Sequence, residues 1–222
     1  SGFPGSDGSA AGFISIYNYD ETVGGTLDNP SAYIAPTNST NTTPIGKGFW
    51  IWLADDLVSF SGRAIDVLGP PMIGSVNLNV SYTNSAGISN DGWNLISNPY
   101  CSTIDWNDLS WTKTNMDNAT YIYHGTNQQY ASYVAGVGTN GGSQFIPSSQ
   151  GFYVKANAAA PVLIAQETVK SAANPTYLKT SAASSTTNSE LLYVRCVGNN
   201  FEDETALRFN NNTTMGFDSE WD

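Results

Sequence analysis

A chain that performs chemistry needs a base, a nucleophile, a metal cage or a pair of carboxylates, and each can be sought by residue type and spacing. His124 is the only histidine, so a Ser-His-Asp relay has a single candidate base. It ends the segment Thr120-Tyr121-Ile122-Tyr123-His124-Gly125, where it reads as a strand or turn residue. No Gly-x-Ser-x-Gly occurs. One His and two distant cysteines, Cys101 and Cys196, do not make a tetrahedral zinc set. The cysteines are either joined by one disulfide or are two isolated thiols. Asp55-Asp56, Glu202-Asp203-Glu204 and the Asp218/Glu220/Asp222 group supply the paired carboxylates that a glycosidase uses. Each falls in an apparent loop or turn with no aromatic cleft around it, so solvated turn residues are expected. Such oxygen-rich loops could hold Ca²⁺ weakly, although no known Ca²⁺-loop spacing is present. No catalytic residue, resident metal or cofactor is expected, and the chain is read as a non-enzyme.

Binding is a different matter. Gly48-Phe49-Trp50-Ile51-Trp52-Leu53 is the most aromatic strand signal. Trp50 and Trp52 fall on one side of it, where indole faces could stack on sugar rings. Phe49 and Ile51 make the other side apolar too. A strand apolar on both faces belongs inside a sandwich, so core packing competes with a stacking platform for these two tryptophans.

The elements that hold such residues must be strands. Charged residues are only 12% of the 222, and Ser, Thr, Asn and 21 Gly carry the polarity, as suits short strands joined by many turns. The aromatic content of 12% is too high for a disordered chain. Eight basic against 19 acidic residues, a net charge of −11, disfavours nucleic acid and anionic membrane, which need Lys/Arg clusters. No apolar run approaches the length of a membrane-spanning helix. Helix-period apolar stripes free of Gly or Pro are absent, so the fold class is all-β.

The strand signals repeat. Ile16-Tyr17-Asn18 corresponds to Ile122-Tyr123-His124, and Tyr33-Ile34 to Tyr133-Val134. Pro44-Ile45-Gly46-Lys47-Gly48-Phe49-Trp50-Ile51 corresponds to Pro147-Ser148-Ser149-Gln150-Gly151-Phe152-Tyr153-Val154, with equal spacing from Pro to Gly. Two β units in tandem follow: residues 1–88, incomplete at the N-terminal side, and residues 89–180. Residues 181–222 read as a linker, then a strand at residues 191–197 with a hairpin partner at 205–209, the start of a third β domain. Tandem β-sandwich units, jelly-roll or immunoglobulin-like, within a longer chain are the expected architecture. Asn-x-Ser/Thr sequons at Asn38, Asn41, Asn79, Asn118, Asn211 and Asn212 mark surface loops.

Between the units lies Gly92-Trp93-Asn94-Leu95-Ile96-Ser97-Asn98-Pro99-Tyr100, followed by Ile104-Asp105-Trp106. This stretch resembles an element of large multidomain proteins that Bacteroidetes export through the type IX secretion system. The companions Tyr121-Ile122-Tyr123 and Gln150-Gly151-Phe152-Tyr153-Val154 agree, as do Asp203-Glu204-Thr205, Arg208-Phe209 and residues 216–222. Cys101 stands where that element usually has Pro. The resemblance implies an extracellular or cell-surface location and a stalk, adhesin or appendage role, and it assigns no functional residue. A non-catalytic structural or adhesive module is therefore expected, with neighbouring domains or subunits as partners and surface glycans as further candidates. An accessory carbohydrate-binding region of a secreted polysaccharide-degrading enzyme is the alternative, and a hydrolase with paired carboxylates a more distant one.

Overall fold

The computed structural model describes residues 16–23, 30–38, 41–51, 69–84, 91–125 and 128–178, together with the backbone of 190–198 and 201–209. The chain forms two compact units, Ser1–Ala182 and Ala183–Asp222. Strands dominate the described residues of both. The only helical turns among the described residues are 3-10 segments at Pro30–Ala32 and Glu167–Val169. The fold is all-β, as the composition predicts, and no described helix is long and apolar enough to cross a membrane.

In chain order the first unit holds β1 (Ile16–Tyr19), β2 (Tyr33–Ile34), β3 (Phe49–Ile51), β4 (Val76–Asn77), β5 (Trp93–Ser97), β6 (Thr103–Asp105) and β7 (Thr112–Thr114). It continues with β8 (Ala119–His124), β9 (Gln129–Val134), β10 (Val137–Thr139), β11 (Phe145–Ile146), β12 (Gly151–Lys155), β13 (Val162–Ala165) and β14 (Lys170–Ser171). The central sheet has the order β10-β9-β8-β12-β5, and all its pairings are antiparallel. Alternation along its strands sends two sets of side chains to opposite faces. Leu95, Tyr121, Tyr130 and Tyr153 meet Tyr19, Tyr33 and Trp50 of the sheet β2-β1-β3. Ile96, Ile122, Tyr133, Phe152 and Val154 face the other way, toward the small sheets β4-β13-β7 and β11-β6-β14. Phe152, Tyr153 and Val154 are consecutive and all fully buried, because β12 is covered on both faces.

The repeat seen in the sequence has a structural counterpart. The sheet β2-β1-β3 is connected like β9-β8-β12, with the first strand of each set in the middle and every pairing antiparallel. The registers differ: Tyr17 pairs with Trp50, but Tyr121, not Tyr123, pairs with Tyr153. That shift of two residues keeps the same faces inward. The proline segments agree more closely. Lys47 N–H donates to Pro44 O over 3.0 Å, and Gln150 N–H donates to Pro147 O over 3.3 Å. The third residue of each turn has a positive φ, 76° at Gly46 and 58° at Ser149. Strand β5 is flanked by these two equivalents. Its one edge pairs with β12, Leu95 opposite Tyr153. At the other edge Lys47 bridges Ile96, Gly48 N–H donates to Leu95 O and Ser97 N–H donates to Gly46 O. Both repeats thus lie within the first unit, and β4, from the first repeat, pairs with β13 of the second.

Side chains continue the ladder where backbone pairing stops. The alternation of Val76, Leu78 and Val80 predicts a strand from 75 to 82, but regular pairing covers only Val76–Asn77, with Leu78 N–H reaching Leu163 O. Beyond it the buried amide of Asn94 takes over. Its Oδ1 accepts from Ser81 N–H, and its Nδ2 donates to Ser81 O, each at 2.9 Å. Asn98, also buried, closes the corner after β5. Its Nδ2 donates toward Ser102 O, Ile146 O and Pro147 O, and its Oδ1 accepts from Tyr100 N–H at 2.9 Å. Tyr100 and Trp106, which follow this corner, are fully enclosed.

In the second unit, β15 (Glu190–Gly198) and β16 (Phe201–Phe209) form an antiparallel hairpin with Glu190 opposite Phe209 and Gly198 opposite Phe201. The hairpin partner begins at Phe201, earlier than the run from Thr205 suggests. Glu202, Asp203 and Glu204 accordingly lie in a strand and not in a turn, since pairing with Val197, Cys196 and Arg195 holds them extended.

Two substitutions test this framework. Replacing Asn98 by Ala strands several buried backbone groups, and urea unfolding is expected to show a loss of about 2–4 kcal/mol. Asn98→Asp, equal in shape, aims a carboxylate at three carbonyls and is expected to cost at least as much; a milder Asp effect would contradict the donor role. A methyl on Gly48 would come within 2.5 Å of Ile96 O, whereas one on Gly151 meets nothing closer than 3.8 Å. Gly48→Ala should therefore lower the unfolding midpoint clearly more than Gly151→Ala.

Candidate functional site

Trp50 belongs to the layer between the two aromatic sheets. It is half-buried, its indole N–H donates to Tyr153 Oη over 2.7 Å, and its ring lies 5.1 Å from that of Tyr123. Tyr33 Oη is 2.9 Å from the same Tyr153 oxygen. Tyr19 meets Tyr33 and Tyr153 edge-on at 5.3 and 5.6 Å, and Trp93 meets Tyr121 edge-on at 5.1 Å. These offset geometries are those preferred by aromatic quadrupoles. Among the described residues Trp50 therefore has one ring partner, and its indole N–H is engaged inside the protein. Trp52, its proposed companion, lies outside the described residues, as do Asp55-Asp56 and Asp218, Glu220 and Asp222. The hydroxyl of Tyr153 is so enclosed that its ionisation is pushed well above the ordinary range, and burial pushes Tyr19 up to about 12.

The other candidate residues stay apart. His124 ends β8 opposite Gln129. Cys101 is an exposed free thiol in the turn after Tyr100, while the side chain of Cys196 lies outside the described residues. Among those residues no group of His, Cys, Asp or Glu is arranged to hold a metal. Two residues not singled out by the sequence stand out instead. Glu21 is buried, and its carboxylate accepts from Ser81 Oγ, Thr83 N–H, Thr83 Oγ1 and Gly92 N–H at 2.6–3.0 Å. Every bond goes to the protein itself, which makes it a clasp between the turn after β1 and the entry to β5. Lys113 lies with its ammonium 3.7 Å above the Trp106 ring and donates to Trp106 O over 2.7 Å. Burial pushes it down to about 8, opposed by Asp105. Its N–H groups are directed at Trp106 and Asn118, so it caps the core.

A groove among the described residues carries several uncommitted polar groups. It has a volume of about 380 Å³ and runs between the end of β1, β2 and the segment leading to β3. Asn18, Asp20, Thr42, Thr43, Lys47 and Asn79 give it polar walls; Ile34, Pro44 and Ile45 give it apolar ones. Lys47 is fixed by its bridge to Ile96 and by an Nζ–H bond of 2.9 Å to Tyr19 O. Burial lowers its pKa, and Asp20 opposes the shift. Asn18 turns its side chain away from the aromatic layer, and its buried Oδ1 has no hydrogen-bond partner. Such an arrangement can bind a small polar molecule.

No family model matches this chain, and neither a curated protein nor a solved structure matches it significantly.

The enclosed tyrosines set an alkaline limit. A tyrosine whose folded pKa is raised contributes stability that is intact below its unfolded value near pH 10 and is lost as pH climbs toward the folded value. Stability should fall between about pH 10 and pH 12, the window set by Tyr19. Tyr153→Phe leaves the Trp50 indole N–H and the Tyr33 hydroxyl without their partner and should cost about 1–2 kcal/mol at pH 7. It should also flatten that alkaline loss. Urea titrations at pH 7 and pH 11 check both, and an unchanged alkaline slope would exclude Tyr153 as a contributor.

Proposed function

We propose that this chain is a non-catalytic structural and adhesive β module of an extracellular surface protein or filamentous appendage. The observation that carries this reading is the interlocking of the two repeats: β5 is held between Gly46–Gly48 of one and β12 of the other, and both aromatic faces close on each other. A unit tied in this way resists being pulled apart, as a spacer that holds neighbouring domains or subunits in place must. The acidic, hydroxyl-rich composition supports a solvated exterior with no affinity for polyanions. The resemblance of residues 92–106 to exported surface proteins supports the location.

Immunogold electron microscopy of the source cells with antibody against this chain is expected to label the outer surface or its appendages. In parallel, the purified chain should turn over none of a panel of chromogenic glycosides. Labelling confined to the cell interior, or turnover of any glycoside, would overturn the reading.

A further inference from the structure

The groove beside β1 has the chemistry of a receptor for neutral sugar. We propose that it binds one or two pyranose units of an uncharged glycan, which deepens the adhesive reading by giving the module a recognition site of its own. Four features converge on this class of ligand.

The first is charge. Lys47 and Asp20 face the same groove and offset each other, so its formal charge is zero. The chain around it carries −11, which disfavours phosphate, sulfate and carboxylate ligands. The second is the mixture of donors and acceptors. The amides of Asn18 and Asn79, the hydroxyls of Thr42 and Thr43, the Lys47 ammonium and the Asp20 carboxylate can each donate to, or accept from, ring hydroxyls that do both. The third is that part of this capacity is unspent, although Asp20 Oδ1 already accepts from Thr22 and the Lys47 ammonium donates to Tyr19 O. Thr42, Thr43 and Asn79 are exposed and have no side-chain hydrogen bond to a described residue; Asn18 Oδ1 also lacks a partner, but it is enclosed behind the groove wall. The fourth is the apolar wall: Ile34, Ile45 and Pro44 offer a surface to the C–H face of a pyranose, with Ile34 46% and Ile45 55% exposed. At about 380 Å³ the groove falls in the lower part of the range of small-molecule sites, roughly 300–1,000 Å³.

The site is also preformed. Lys47 is pinned through its backbone to β5 and through its ammonium to Tyr19 O, so little ordering is required on binding. It lies on the outward side of the sheet whose inward side holds Trp50, which separates it from the tryptophan platform that the sequence suggests.

The test uses the full chain and a panel of D-glucose, D-galactose, D-mannose and N-acetylglucosamine. Their methyl glycosides stand for chain-terminal residues, and sialic acid and inorganic phosphate serve as anionic probes. Saturation-transfer NMR is followed by calorimetric titration. At least one neutral sugar is expected to bind, and the anions are not. Preference for a methyl glycoside assigns a chain-terminal sugar; equal or better binding of the free sugar assigns a free one. Thr43→Val and Asn79→Ala change exposed side chains and should keep the circular dichroism spectrum while weakening binding about tenfold. Lys47→Met should abolish it. Absence of binding by every neutral sugar, binding of the anions alone, or binding unchanged in all three variants would overturn the proposal. A failed sugar titration leaves the structural module standing, whereas glycoside turnover would overturn the module and leave the groove to be judged on binding.

Discussion

Strand β5 must satisfy two neighbours and two faces at once, and the arrangement of the first unit follows from that demand. Its backbone pairs on one edge with β12 and on the other with Gly46–Gly48. Leu95 points to one aromatic layer and Ile96 to the opposite core. A strand buried this fully needs cover above and below, and the chain supplies β2-β1-β3 on one side and the two small sheets on the other. Gly48 is what lets the second edge approach, since a side chain there would collide with the Ile96 carbonyl. The repeat is therefore more than duplicated sequence. Equivalent Pro-to-Gly segments grip the same strand from its two edges, one through the ladder with β12 and the other through the Lys47–Ile96 bridge.

Such tight enclosure creates a problem of unpaired backbone, solved by three polar side chains. Asn94 imitates a strand partner for Ser81, Asn98 gathers the carbonyls of a sharp corner, and Glu21 collects the donors of Ser81, Thr83 and Gly92. A buried polar group is tolerated when its bonds are made and becomes costly when they are not. These residues therefore fix geometry more than they add net stability. Gly92 fits the same logic: its φ of 86° and its approach to the Ala156 carbonyl leave no room for a side chain.

Much of this frame is legible in the residues. Alternation and aromatic content mark β5, β8, β12 and β13, and the Pro-to-Gly spacing marks the repeat. Short polar strands such as β7, Thr112–Thr114, and β10, Val137–Thr139, carry little apolar signal because they lie at sheet edges. Glu21 reads as an ordinary turn acid, since its partners stand about sixty and seventy residues away and nothing local announces them. Trp50 stands out by residue type, yet residue type cannot tell a ring facing solvent from one facing Tyr123. The groove is the least legible feature of all. Asn18, Asn79 and the pair Thr43 and Lys47 come from three separate segments, and each alone is a commonplace loop or strand residue.

That contrast bears on how this chain could recognise anything. In the aromatic layer the rings of Tyr19, Trp93, Tyr121 and Tyr153 are engaged with one another, and the Tyr153 hydroxyl already serves Trp50 and Tyr33. Opening this layer to a ligand would sacrifice ring contacts worth about 0.5–1.5 kcal/mol each beyond their buried area. The sheet would have to separate before binding began. Recognition by exposed hydroxyls and amides such as Thr42, Thr43 and Asn79, beside one anchored ammonium, demands no such separation of sheets. A protein whose aromatics bind its own sheets together is best placed to meet its partners through polar contacts, individually weak and exchanged with water. Under the proposed adhesive role such contacts would gain strength from repetition along an assembly, where a rigid, interlocked module is useful.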